Sequence, residues 1–296
     1  MPDAGDVVQA CRRPRHRRLP HGSPYRTLAR YRAGRRPPAT VARGALWKKV
    51  GAAVDPAPSR STSWWKTHRP TRMRQDLMRE LMDQLLRVQN FTISSDGVAA
   101  GEDQSLERPF GHHIDPGKLF AWAGATASWP NRTEPGGGRG LDDYFTRDFS
   151  HNIGAEIMGR NKFGPQRGPW HDHEWRGWWG DEPPFHTPVF VLTHHKRPSF
   201  TLSDTTFHFV DGDPASVLAQ AQEAAQGMDV RLGGGVSTIR EFLDADLVDT
   251  LHVAVAPVRL GSGLRLWDSP DELLDRFHMD VVPSPSGVTH HLFWRR

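Results

Sequence analysis

Three successive glycines, Gly233, Gly234 and Gly235, separate an apolar stretch (DVRL) from a run with helical spacing (VSTIREFL), and Ser237 and Thr238 fall in the first turn of that run. Glycine loses more backbone freedom on folding than any other residue, so three together need a reason. A tight turn with positive φ would need only one. Three at the mouth of a helix let the backbone come close to a ligand, and the unpaired N–H groups of the helix start attract phosphate. The spacing is neither GxGxxG nor a P-loop, since no Lys follows the glycines. Two further stretches offer related chemistry. Gly159 closes AEIMG and is followed by Arg160 and Asn161, which can reach a second phosphate. The apolar run TPVFVL ends in Thr193, His194, His195, Lys196 and Arg197. Such a cluster of donors and cations suits an extra phosphate on an adenosine ribose, although a solvated polar turn has the same composition. Three strand ends with anion-binding groups fit one long phosphate-bearing cofactor. Asp96, paired with Gly97, is a candidate to position a substrate or polarise a water, but Asp-Gly is also a common turn pair.

These loops need a scaffold. LLRVQNFTISSDGVAAGED reads as a strand with a turn at Asp96-Gly97, and GHHIDPGKLFAWAGATASW as a loop and a short helix. LDDYFTRDFSHNIG reads as a helix with Leu141, Phe145 and Phe149 on one face. AEIMG is a short buried strand, RNKF a helical turn, and VFVL a central strand. TFHFV is another strand, DPASVLAQAQEAAQG a helix capped by Asp213 or Asp211, DVRLGG a strand, and DTLHVAVAPV a strand after the glycine-opened helix. RFHMDVVPSPSGVTHHLFWRR reads as two antiparallel strands. The Trp-rich loop carrying Trp170, Trp175, Trp178 and Trp179 is either a substrate lid, a partner surface or a cover for the sheet edge. Alternating strands and helices predict an α/β fold: a mostly parallel central sheet flanked by helices, with an antiparallel C-terminal hairpin.

Charge divides the chain. Residues 1–75 carry 18 Lys and Arg against 3 acids, leaving 20 against 31 for the rest. The first segment has no sustained apolar period and is expected to stay disordered. It reads either as a nucleic-acid-binding arm, the alternative function for this chain, or as an extension ahead of a start at Met73, Met78 or Met82. Residues 1–84 are thus set apart from a domain at 85–296. Cys11 is the single cysteine, so no disulfide within the chain and no thiolate metal cluster is expected. No apolar run approaches a membrane span and no secretory signal is evident, so a cytoplasmic protein is expected. Histidine pairs such as His112-His113, His194-His195 and His290-His291 suggest metal, but strand neighbours point to opposite faces, and no metal site is expected.

FTISSDGVAA, GAEIMGRNKF, TPVFVLTH and GGGVSTIREFLDADLVDTLHVAVAPVRLGSG occur in order. Over residues 86–296 this arrangement resembles the dihydrofolate-reductase-like family that includes the reductase domain of the bifunctional riboflavin-biosynthesis deaminase-reductase. The resemblance implies NADPH bound across the carboxyl edge of the sheet. It also implies hydride transfer to a small heterocycle, as in 5-amino-6-(5-phosphoribosylamino)uracil reductase. It places Gly159, Arg160 and Asn161 along the cofactor phosphates and Gly234 and Gly235 at the pyrophosphate. Ser94, Ser95, Asp96 and Gly97 fall by the nicotinamide and substrate, and Gly261 and Gly263 in a loop near the pocket. Thr193 and His194 depart from the family's Ser and Arg beside the 2′-phosphate, with Lys196 and Arg197 as substitutes. Relatives commonly dimerise, so a homodimer is expected. No deaminase zinc motif is present. The acid expected on the first substrate-lining helix of a true dihydrofolate reductase is not evident.

Overall fold

The computed structural model describes residues 84–130 and 134–296. The basic segment, Cys11 and the three alternative starts lie outside the described residues. Nine strands form one sheet: β1 (Leu86–Ser94), β3 (Ile153–Gly159), β4 (Val189–Leu192), β5 (Phe200–Leu202), β6 (Thr205–Val210), β7 (Asp229–Leu232), β8 (Thr250–Ala256), β10 (Phe277–Pro283) and β11 (Thr289–Arg295). A two-stranded ribbon pairs β2 (Val98–Ala100) with β9 (Leu264–Arg265). The order across the main sheet is β10-β11-β8-β1-β7-β3-β4-β6-β5. Its six central strands, β8 to β6, are parallel, and β10 and β11 make the antiparallel C-terminal hairpin. This is the expected α/β architecture. The sequence reading lacked β5, which folds back on β6 as an antiparallel edge strand.

Helices cover both faces. On one face, Val217, Leu218 and Ala221 of α5 (Pro214–Ala224) and Ile239 and Phe242 of α6 (Val236–Asp244) join Ala155, Ile157, Val230, Leu232, Leu251 and Val253 in the main core. Asp213, not Asp211, caps α5 by accepting from the N–H groups of Ala215 and Ser216. The opposite face carries α1 (Pro116–Leu119), α2 (Ala121–Gly124), α3 (Leu141–Arg147) and α4 (Arg160–Phe163). There Met158, Phe163, Trp170, Phe185, Val191, Phe207 and Phe209 form a second core. Trp170 is buried in it and Trp179 stacks on Phe207 at 5.9 Å, so the Trp-rich loop covers the sheet. In β1 the register shifts between Val88 and Phe91, where Asn90 has φ 55°. The extra residue lets both Val88 and Ile93 reach the main core while Thr92 turns to the other face and accepts from Trp122 Nε1.

The helix predicted through Phe149 ends at Arg147, with a 3₁₀ turn over Asp148–Ser150. Asp148 is drawn off the helical path: its carboxylate accepts from Arg87 Nη2 (2.8 Å) and its carbonyl from Gln89 Nε2 (2.8 Å). A buried chain fastens the start of α3 to the sheet. Asp142 Oδ1 lies 2.8 Å from His290 Nε2, His290 Nδ1 lies 2.9 Å from His252 Nε2, and the Asn90 N–H donates to His252 Nδ1 (3.3 Å). Phe145 packs on both imidazoles at 4.4 and 4.3 Å.

One set of tautomers satisfies this chain. Each imidazole is neutral, with its Nε2–H donating towards Asp142. A further proton on either ring would set N–H against N–H. Burial, reinforced by the neighbouring histidines, holds His252 well below the usual histidine value; burial also lowers His290 against the pull of Asp142. A histidine whose folded value is depressed is more readily protonated in the unfolded chain, so stability is full above about pH 6.5 and falls as pH drops below it. His208 and His291, lowered by burial, act in the same direction. The urea midpoint is therefore expected to decline from pH 7 to pH 5, and the decline should flatten in His252→Asn, His290→Gln. A midpoint constant over that range in the unaltered chain would refute this origin of acid sensitivity.

Candidate active site

All six parallel strands end at one edge, and β7 is inserted between β1 and β3. Its outgoing glycine loop is stitched to the end of β3: the Gly233 N–H donates to Ile157 O and the Gly159 N–H to Gly234 O, both at 2.8 Å. Gly234 has φ 102°, which only glycine adopts without strain, and its peptide to Gly235 is cis. At Gly159 a Cβ would stand 2.2 Å from Thr238 Oγ1, so the close approach of strand and helix requires glycine there. At Gly235 a Cβ would meet nothing within 4 Å. Gly235 opens α6 with no side-chain cap, and the first bond of the helix runs from the Ile239 N–H to Gly235 O. The N–H groups of Val236, Ser237 and Thr238 therefore precede the helical ladder and lie beside that open space. Ser237 is exposed and Thr238 is buried against Gly159. Open space, donors and the positive end of a nine-residue helix fit a cofactor pyrophosphate.

The family model of the RibD C-terminal domain matches residues 88–279. The chain belongs to this family. The RibD C-terminal family is one of reductases, so the coarse chemistry is oxidoreduction. Among solved structures, the chain is similar to dihydrofolate reductase from Enterococcus faecalis, complexed with NADP(H) (14% identity, 73% of this chain and 98% of that one, TM-score 0.40). It is also similar to a pyrimidine reductase-like protein from Corynebacterium diphtheriae (14%, 74% and 94%, TM-score 0.38). A third is a diaminohydroxyphosphoribosylaminopyrimidine deaminase/5-amino-6-(5-phosphoribosylamino)uracil reductase from Thermotoga maritima (13%, 74% and 59%, TM-score 0.41). No curated protein matches the chain. Among the described residues, no helix is long and apolar enough to cross a membrane, and no three His, Cys, Asp or Glu are grouped to hold a metal ion.

In this RibD C-terminal domain the other sequence-derived residues divide. Arg160 opens α4, lies over Trp170 at 3.9 Å and donates from Nη1 to Gly168 O (2.6 Å), while Nε and Nη2 have no hydrogen-bond partner. Asn161 is exposed, 3.3 Å from Gln104 Oε1. Thr193 is buried and holds its own turn through the His195 N–H (3.1 Å), whereas His194 is exposed and paired with Asp211 at 3.0 Å. Lys196 is exposed. Arg197 does not face the glycine loop as a free cation. Its guanidinium donates to Trp175 O (2.9 Å) and His173 O and lies 5.0–5.3 Å from the rings of Trp170, Phe200 and Phe209. The geometry gives it to the Trp-rich loop.

Asp96 is likewise a clamp. Ser94 Oγ donates to it (2.6 Å), as do the N–H groups of Leu260 (3.1 Å) and Gly261 (2.8 Å). Ser95 bonds Val258 O through both N–H and Oγ. Gly97, φ 82°, completes the turn against Trp267 O. Burial would raise the Asp96 carboxyl, but those hydrogen bonds prevail and hold it at about 2. It stays ionised at neutral pH and has no proton to give. The clamp follows from partners 164 and 165 residues away, which the local Asp-Gly signal does not reveal. Since its folded value is depressed, its stabilisation is present above the ordinary carboxylate value and is lost as pH falls towards 2. Asp96→Asn should cost about 1–3 kcal/mol and open residues 259–263 to limited proteolysis, because an amide N–H₂ would face a backbone donor. Unchanged cleavage there would remove the clamp.

Three residues absent from the sequence reading lie under the glycines: Glu156, Lys162 and Arg231. Arg231 Nη2 donates to Glu156 Oε2, and Lys162 Nζ lies 2.9 Å from Glu156 Oε1. Their signal was an ion inside each of two apolar strands, AEIMG and DVRL; such a charge has to be paired. α3 carries two acids in its first turn, but Asp142 serves His290 and Asp143 accepts from the Ser128 N–H (2.7 Å).

Proposed function

We propose that this RibD C-terminal domain is an NADPH-dependent reductase acting on a small heterocyclic substrate of the 5-amino-6-(5-phosphoribosylamino)uracil type. The observation carrying the reading is the glycine cradle, in which Gly159 and Gly234 close on one another and leave Gly235 open at the uncapped start of α6. Bound NADPH would supply the hydride. The N–H groups of Val236, Ser237 and Thr238 hold its pyrophosphate, with the Ser237 hydroxyl as a further donor. Arg160, whose Nε and Nη2 are buried against Trp170 without a hydrogen-bond partner, would have to turn out from that ring to reach a phosphate near α4. With Arg197 committed elsewhere, Lys196 is the cation left to meet a ribose 2′-phosphate beyond β4. The Ser94–Gly97 turn, clamped to residues 258–261, walls the nicotinamide end and limits water there.

Mixing the full chain with NADPH and 5-amino-6-(5-phosphoribosylamino)uracil and following absorbance of the reduced nicotinamide tests the reading. Saturable, acceptor-dependent oxidation is expected, weaker with NADH. Binding of NADPH without oxidation would reject this substrate class, and failure to bind would reject the reductase.

A further inference from the structure

Among the described residues the main sheet ends at β5 on one side and at β10 on the other. β5 is short, with three residues. β10 (FHMDVVP) has seven, contains no lysine and pairs with β11 in unbroken register. A long, regular edge without lysine or bulge is a template for another strand. The ends of the hairpin show which backbone groups are left over. The Arg296 N–H donates to Arg276 O (3.0 Å) and the Ser284 N–H to Val288 O (2.8 Å), so Arg276 and Ser284 are hydrogen-bonded positions. Such positions alternate along an antiparallel pair. His278, Asp280 and Val282 therefore spend their backbone groups on β11, while Phe277, Met279 and Val281 point theirs out of the sheet. Pro283 falls in the same outward set, where its missing N–H costs no bond to β11.

The side chains divide by the same alternation. Phe277 is buried in the main core, Met279 packs against it, and Val281, on the same face, is 47% exposed. His278 and Asp280 stand exposed on the other face, the His278 ring stacked on Trp294 at 5.6 Å. This row is self-complementary. Two copies of β10 run antiparallel about a two-fold axis at Met279 would set Phe277 opposite Val281 of the partner subunit, and His278 opposite Asp280 of the partner subunit. All three outward residues then pair, with about six backbone hydrogen bonds. An axis at His278 would oppose two imidazoles instead. An axis at Asp280 would oppose two carboxylates and set Phe277 against a proline with no N–H to give.

We propose that β10 is a homodimer edge, pairing with β10 of a second copy in the register centred on Met279. The pairing is independent of the reductase reading. It continues the sheet from one subunit into the next and covers the exposed Val281 with Phe277 of the partner subunit. On the opposite face an imidazole N–H of His278 donates to the carboxylate of Asp280 of the partner subunit, twice by symmetry. The same patch serves both copies, so the contact closes at two.

Sedimentation velocity of the full chain tests this. A reversible monomer–dimer equilibrium is expected with a dissociation constant of about 10 µM, weak because the contact is one strand wide. Hydrogen exchange over residues 277–283 should slow as the dimer forms. His278→Asp opposes two carboxylates at each end of the interface and should weaken the dimer about tenfold. The exchanged pair His278→Asp, Asp280→His restores the complement and should return the dissociation constant to within about twofold. Val281→Lys, at another exposed position, should leave a monomer. A monomer up to about 100 µM overturns the proposal, and slow exchange over 277–283 in that monomer gives the edge to residues 1–83. A dimer indifferent to His278→Asp and Val281→Lys overturns it too, since the contact then lies elsewhere.

Discussion

Glu156→Leu is expected to lower the unfolding free energy by about 3–5 kcal/mol, the usual cost of stranding a buried ion. Glu156 is 1% exposed, and its two carboxylate oxygens serve Arg231 and Lys162 separately. Leucine removes both acceptors and leaves two cations facing apolar walls that include Phe149 and Phe185. The same physics predicts recovery. Replacing the whole group, as Glu156→Leu, Arg231→Met, Lys162→Met, exchanges paired ions for apolar side chains and should regain most of the loss. Urea unfolding of the single and triple variants measures the difference. Equal stability of the two would mean that the ions are not coupled as the distances indicate.

Gly159→Ala should weaken NADPH binding by about 10–100-fold, or about 1.4–2.8 kcal/mol. The backbone at Gly159 has φ −73° and ψ 155°, which alanine accepts, so the effect comes from space alone. The new methyl would lie 2.2 Å from Thr238 Oγ1 and would have to push the first turn of α6 from the end of β3. That movement breaks the alignment of the helix N–H groups with the phosphates. Removing the obstructing atom in Gly159→Ala, Thr238→Ala should restore most of the affinity, while Thr238→Ala alone should have a small effect. A double-mutant cycle on NADPH affinity isolates this coupling. Additive losses would show that Gly159 acts through something other than its contact with Thr238.

Local features were legible in the sequence because their physics is local. The glycine run before VSTIREFL marked the cradle, Asp213 before Pro214 marked a capped helix, and unbroken apolar runs at TPVFVL and DTLHVAVA marked central parallel strands. What sequence spacing could not reveal depends on distant partners. The helix through Asp148 looked continuous until Arg87, 61 residues away, claimed its carboxylate. The Asp-Gly pair at Asp96 marked a turn, but not that the backbone of Leu260 and Gly261 folds over its carboxylate. Arg197 sits in a cationic run, yet carbonyls of the Trp-rich loop decide its direction. Glu156 and Arg231 were partly readable, since each interrupts an apolar strand, but only the adjacency of β3 and β7 pairs them.

The most direct measurement is titration of the full chain with NADPH and, separately, NADH, following quenching of tryptophan fluorescence. The cradle at Gly159, Gly234 and Gly235 predicts saturable binding of both. Cations near β4 and α4 predict NADPH to be about tenfold tighter, equivalent to about 1.4 kcal/mol. Absence of saturable binding by either nucleotide would contradict the account at its centre.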